Sequence, residues 1–133
     1  LYLARKVVRH IISEVSDVKN AKVLVMGATF KENVADIRNS KVVDVINELK
    51  SYLVDVHVTD PHADSEELFE EYGFHLVDKI ADDYDAIVLA ASHNEYLDLK
   101  EEYFINKTNE NALFFDVKGC FKGKIAKLAY KSL

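Results

Sequence analysis

A single cysteine, Cys120, is all the thiol this chain of 133 residues contains. It can close no internal disulfide, and nothing calls for an oxidising compartment, so a cytoplasmic setting is expected. No apolar run approaches about 20 residues, which removes a membrane-spanning helix, and no secretory leader is visible. Positive charge is short: 17 Lys and Arg face 23 Asp and Glu, for a formal net charge of −6. The basic footprint that a nucleic-acid surface needs is missing. Glycine is also short, with four in the chain and no Gly-x-Gly-x-x-Gly among them. Without the second and third glycines a backbone cannot approach a pyrophosphate in the manner of a dinucleotide fold. His10, His57, His62 and His75 stand at no metal-ligand spacing, so no metal site is expected. Cys120 has no histidine base nearby and reads as a small buried or half-buried thiol.

What remains is an ordinary globular composition, 49% hydrophobic and 30% charged, at a length that favours one core. Leu3, Val7, Ile11 and Ile12 recur at helical spacing among Arg5, Lys6, Arg9 and His10, which predicts an amphipathic helix. Because the chain begins with Leu1 inside that pattern, it reads as a piece of something longer. Lys22–Ala28 is a short apolar run broken by Gly27, a first strand. Val42, Val43, Ile46 and Leu49 mark a crossover helix ending near Ser51. Val54–Asp60 alternates as a second strand and stops at Pro61. Leu68, Phe69 and Tyr72 stripe a helix that Gly73 caps. A short strand is expected at His75–Val77, and Asp85–Ala91 is unbroken enough for a central strand covered on both faces. A helix over Leu99–Asn106, a strand over Ala112–Val117 and a last helix marked by Ile125, Leu128 and Ala129 complete the pattern. Strands alternating with helices predict an α/β fold, a three-layer Rossmann-like parallel sheet with helices on both faces.

In such a sheet ligands gather at the carboxyl ends of the strands, where strand order reverses. The first strand leads there into Ala28-Thr29-Phe30-Lys31, and the loop continues through Asp36 and Arg38 to Asn39 and Ser40, good N-cap residues ahead of the first crossover helix. Two cations beside a helix N-terminus suit an anion, most simply a phosphate. The Ser92-His93-Asn94 loop and Lys118 emerge on the same edge. His93 reads as solvent-facing or locally bonded and is left outside the site. Asp60 reads as a turn residue rather than a ribose ligand.

Gly27, Phe30, Lys31, Asp36, Arg38 and Ser40 together spell Gly-x-x-Phe-Lys followed by Asp-x-Arg-x-Ser. This resembles the start of the C-terminal UDP-binding domain of the UDP-glucose/GDP-mannose dehydrogenase family. The resemblance implies that residues 1–18 are the end of a long central helix and that residues 19–133 are the nucleotide-sugar-binding domain. It implies that Phe30 and Lys31 touch the UDP part of the substrate, that Lys118 in Asp116-Val117-Lys118-Gly119 also touches the nucleotide sugar, and that Arg38 reaches NAD held by the missing N-terminal domain. Asp36 then holds the loop or Arg38 itself. The family's nucleophilic cysteine precedes this segment, so no catalytic residue is expected here, and Cys120 does not inherit that role. The implied parent oxidises the C6 alcohol of a UDP-sugar to a carboxylate with NAD, often as a homo-oligomer joined through the central helix. The Asp-Val-Lys-Gly form is closest to the UDP-N-acetylmannosamine and UDP-N-acetylglucosamine branch of such polysaccharide-building enzymes. Binding without turnover is the expectation for this chain. Two other classes compete: a receiver domain, with Asp60 as phosphoacceptor and Lys118 behind the last strand, and a free-standing Rossmann domain binding NAD. A receiver needs an acidic pair after the first strand to hold Mg²⁺, where this chain has Gly27-Ala28-Thr29.

Overall fold

A computed structural model describes residues 2–15 and 18–133; Leu1, Ser16 and Asp17, which the first helical segment was expected to include, lie outside the described residues. The elements are α1 (Tyr2–Glu14), β1 (Lys22–Met26), α2 (Val42–Ser51), β2 (Asp55–Thr59), α3 (Ser65–Tyr72), β3 (Tyr84–Leu89), α4 (Asn94–Leu97), α5 (Glu101–Ile105), β4 (Thr108–Asp116) and β5 (Ala129–Ser132). The strands form one sheet in the order β2-β1-β3-β4-β5, and every pair in it is parallel. Strand order reverses between β1 and β3, whose registered pairs run from Val23–Ala86 to Met26–Leu89. All carboxyl ends therefore share one edge, with its crevice at β1 and β3.

The period-2 alternation of the strands divides the core. Val23, Val25, Ala86, Val88, Leu113 and Phe115 face α1 and α2, whose Val7, Ile11, Ile46 and Leu49 are buried against them. On α1 the stripe runs through Leu3, Ala4, Val7, Val8 and Ile11, whereas Ile12, expected inside, is exposed. Leu24, Met26, Ile87, Leu89 and Phe114 face the other way onto Tyr96 of α4, Phe104 of α5 and Phe121. There Phe104, Phe114 and Phe121 pack with ring centroids 4.6–5.6 Å apart. Helices thus cover both faces, as the hydrophobic pattern implies. No described helix is long and apolar enough to cross a membrane.

Three local expectations fail. His75–Val77 forms no strand; the segment makes one bond to the outer edge of β2, from Val77 N to Val58 O at 2.9 Å. The last helix is absent, and β5 adds itself to β4 instead. Glu101 Oε2 accepts from the consecutive amides of Ala126, Lys127 and Leu128 at 3.0, 2.7 and 3.0 Å, which fixes the turn that leads into β5. Burial pushes the Glu101 carboxyl up, but the three amides more than offset it and hold it below its ordinary range. Neither Asn39 nor Ser40 caps α2. Asn39 takes a left-handed φ of 57°, the N-cap is Lys41, and Ser40 turns inward with its hydroxyl buried and unpartnered. Asp64 behaves as an N-cap should, accepting from Glu66 N and Glu67 N ahead of α3.

Candidate functional site

Gly27 ends β1 with φ 103°, and a Cβ built on it would lie 2.5 Å from Ala91 Cβ and 2.6 Å from Ala91 N. Only glycine lets the loop after β1 lie directly on the loop after β3. The amides of Ala90 and Ala91 both donate to Met26 O, at 2.8 and 3.3 Å. The two lips of the crevice are thus in backbone contact.

Beneath the β1 loop sits a closed polar network. Asp60, at the end of β2, accepts through Oδ2 from Ala28 N at 2.6 Å and through Oδ1 from His62 N and Ala63 N at 2.7 and 3.1 Å. His93 lies 3.0 Å from the same Oδ2 through Nε2, with both side chains fully buried. Its Nδ1 accepts from Asn33 N at 2.9 Å, so the proton sits on Nε2. Nε2 also lies 3.4 Å from Thr29 Oγ1, whose hydroxyl donates to Lys31 O at 2.8 Å. Asn33 and Asn94 then clasp each other, Asn94 N donating to Asn33 Oδ1 at 2.8 Å and Asn33 Nδ2 to Asn94 Oδ1 at 3.3 Å. Asp60 is a turn residue, as its position before Pro61 suggests. His93 is not solvent-facing; it is the centre of the network. The sequence signal for it is topological: Asp60 and His93 follow the two strands that flank β1, so order 2-1-3 folds both under the β1 loop.

Above the network the expected ligand residues are open to solvent. Phe30 is 55% exposed, and Lys31 is exposed beside it. Lys118, beyond the end of β4, pairs with Glu32 at 3.2 Å, which brings the β4 edge against the loop that carries Lys31. Hydrogen bonding within its own backbone and to Lys118 holds the Glu32 carboxyl below its ordinary range. The Lys118 turn is fixed from below by Asp116, whose Oδ2 accepts from Phe121 N at 2.7 Å and Tyr130 OH at 2.8 Å. Burial, then the bond to Asp116, pushes the Tyr130 hydroxyl up to about 12.

Arg38 stands apart, its side chain 82% exposed. Asp36 grips it with both oxygens, from Nε and Nη2 at 3.0 Å each, and also accepts Arg38 N at 2.9 Å. The loop closes on itself through Phe30 N to Asp36 O at 2.7 Å. The Arg38 side chain, then its amide, holds the Asp36 carboxyl down at about 2. Cys120 is exposed rather than buried or half-buried; its thiol donates to Ser92 Oγ at 3.3 Å.

This arrangement decides against both competing classes. A receiver's phosphoacceptor must present a free carboxylate oxygen, and Asp60 is buried with both oxygens bonded. Among the described residues no cluster of three or more His, Cys, Asp or Glu side chains could hold a metal ion. A dinucleotide pyrophosphate would need a glycine cradle and free amides after β1. Ala91 fills the space over Gly27, and Asp60 takes the amide of Ala28. The first loop therefore does not fit NAD.

Comparison with known proteins follows that geometry. Residues 24–123 match the model of the UDP-glucose/GDP-mannose dehydrogenase family, UDP binding domain. Protein CapL of Staphylococcus aureus is 38% identical over 119 residues, covering 89% of this chain and 28% of its own length. A UDP-N-acetyl-D-glucosamine 6-dehydrogenase of Salmonella typhi is 33% identical over 118 residues, covering 88% and 28%. Among solved structures, a UDP-D-ManNAc dehydrogenase from Pyrococcus horikoshii superposes on 98% of the chain and 30% of its own with a TM-score of 0.78 at 17% identity. The chain spans a little over a quarter of the length of the curated relatives it matches.

Proposed function

The chain belongs to the UDP-glucose/GDP-mannose dehydrogenase family, matching its UDP-binding domain, and from that premise we propose that it recognises the nucleotide sugar for an NAD-dependent UDP-sugar 6-dehydrogenase. The substrate is a UDP-N-acetylhexosamine whose C6 alcohol is oxidised to the uronate. The similarity to a UDP-N-acetyl-D-glucosamine 6-dehydrogenase supports that branch. One observation carries the reading: the Lys118–Glu32 ion pair, which joins the β4 edge to the Phe30-Lys31 loop across the switch point. Phe30 offers its exposed ring to the uracil or ribose. Lys31 and Lys118 neutralise the diphosphate, Lys118 exchanging Glu32 for it.

The remaining chemistry belongs to the rest of the polypeptide. When bound there, NAD accepts the hydride. Arg38 offers it the outer edge of an exposed guanidinium already aimed by Asp36. α1 is the end of the helix that joins the two parts. The chain alone binds substrate without turnover.

Calorimetry tests this directly. UDP is expected to bind this chain more tightly than inorganic phosphate does, and NAD to give no heat. Lys31→Ala and Lys118→Ala each weaken UDP about 10-fold or more, the worth of a charge-assisted contact of roughly 1.5–3 kcal/mol. In the full-length enzyme, Arg38→Ala raises the KM for NAD more than it raises the KM for the UDP-sugar. UDP bound no better than phosphate would overturn the reading.

A further inference from the structure

We infer that His93 is a positioning residue for the nucleotide: it transmits the fixed location of buried Asp60 to the loop that carries Phe30 and Lys31. The inference rests on the proposed UDP site. Asp60 is anchored by three backbone amides of two different strand-end loops, so its carboxylate is the least movable group at this edge. His93 reads that position through Nε2 and passes it on at two points. Nδ1 holds the amide of Asn33, two residues past Lys31. Nε2 also reaches Thr29, whose hydroxyl holds the carbonyl of Lys31 itself. The ligand-facing segment between Thr29 and Asn33 is thus pinned at both ends by one imidazole, while Phe30 and Lys31 within it stay exposed. Asn33 has a left-handed φ of 61°, so the chain turns sharply there; the side-chain clasp with Asn94 ties the turn to the β3 edge, and the bond to His93 fixes its backbone amide.

An imidazole does this with two nitrogens that can be replaced one at a time. Gln places an amide N–H near the position of Nε2, keeping Asp60 and losing Asn33. Asn places a carbonyl oxygen near the position of Nδ1, keeping Asn33 and losing Asp60. The expected result is a double dissociation. His93→Gln raises hydrogen exchange at the Asn33 amide and weakens UDP binding by about 3- to 10-fold, with a modest change in the denaturation midpoint. His93→Asn lowers the midpoint more, because Asp60 loses a buried partner, yet holds Asn33 exchange and UDP affinity closer to those of the parent. Thr29→Val, which leaves His93 intact and cuts the link to the Lys31 carbonyl, weakens UDP as His93→Gln does. Equal loss of Asn33 protection in both His93 variants, or unchanged exchange and UDP affinity in His93→Gln, would overturn the inference. If the parent chain failed to bind UDP, the functional reading would fall, and the Asn33 exchange in the two variants would still decide the role of His93.

Discussion

Beneath the β1 loop, Asp60 and His93 are buried with every polar atom partnered, whereas above it Phe30, Arg38 and Lys118 lie open, each cation in one exposed ion pair. The two layers differ because they meet opposite physical demands. A buried carboxylate is tolerable only when its desolvation is offset by several donors, and four donors at one point leave no freedom to move. A ligand site must instead surrender its contacts when substrate arrives, and exposed ion pairs are weak enough to be exchanged. Order below makes the exchange above productive, since loop ordering is not charged against binding.

That contrast breaks first at Gly27. Gly27→Ala is expected to cost about 2–5 kcal/mol, from the left-handed backbone together with a Cβ driven into Ala91. Gly119→Ala is the control: its φ is also positive, 73°, but nothing lies within 4 Å of the added Cβ, and about 1 kcal/mol is expected. Urea denaturation of the two variants measures the difference; equal midpoints would mean that the close approach of the two lips is not fixed by packing.

Next comes Asp60→Asn. One oxygen becomes an amide that faces donors it cannot accept, whichever way the side chain is flipped. A loss of roughly 1–3 kcal/mol in the denaturation free energy is expected. The UDP affinity should fall with it, because the β1 loop is hung from this residue. An Asn variant as stable as the parent would show that the lower layer is not held by charge.

The two layers were also unequally legible in the sequence. Strands written as unbroken or alternating apolar runs, Lys22–Met26 and Tyr84–Leu89 among them, are visible because burial on one or both faces dictates them. Phe30, Lys31 and Arg38 were visible through a contiguous pattern. His93 was not: its partners Asp60, Thr29 and Asn33 are 33 to 64 residues away, and only the strand order joins them. The last segment misled for a related reason. Ile125, Leu128 and Ala129 have helical spacing, but the open edge of β4 takes Ala129–Ser132 as a parallel strand, and the turn before it is fixed by Glu101, on a different element.

A smaller effect sharpens the upper layer. Glu32 occupies Lys118 in this structure and places a carboxylate where a diphosphate is expected. Glu32→Gln removes the competitor and should tighten UDP by roughly 2- to 5-fold, the worth of an exposed ion pair, most visibly at low salt. Calorimetry at two ionic strengths checks it. Weaker binding in Glu32→Gln would mean that the pair positions Lys118 rather than restraining it.

The smallest effect concerns Asp36 and Arg38, the most exposed charged pair of the loop. The Asp36 carboxyl is held at about 2 against an ordinary value of 3.8. Because the folded value is depressed, its contribution is fully present above 3.8 and is lost as pH falls through about 2. Both side chains are solvated, so the unfolding midpoint should hardly respond. The carboxyl itself should. Carbon-detected NMR is expected to show Asp36 titrating near 2, and in Arg38→Ala its midpoint should rise part of the way toward 3.8. It should not rise fully, because the amide of residue 38 remains as a second donor. A midpoint unmoved by Arg38→Ala would mean that the backbone alone holds the carboxylate. Arg38 would then be free rather than aimed, and its proposed reach toward NAD would lose the pre-orientation that Asp36 gives it.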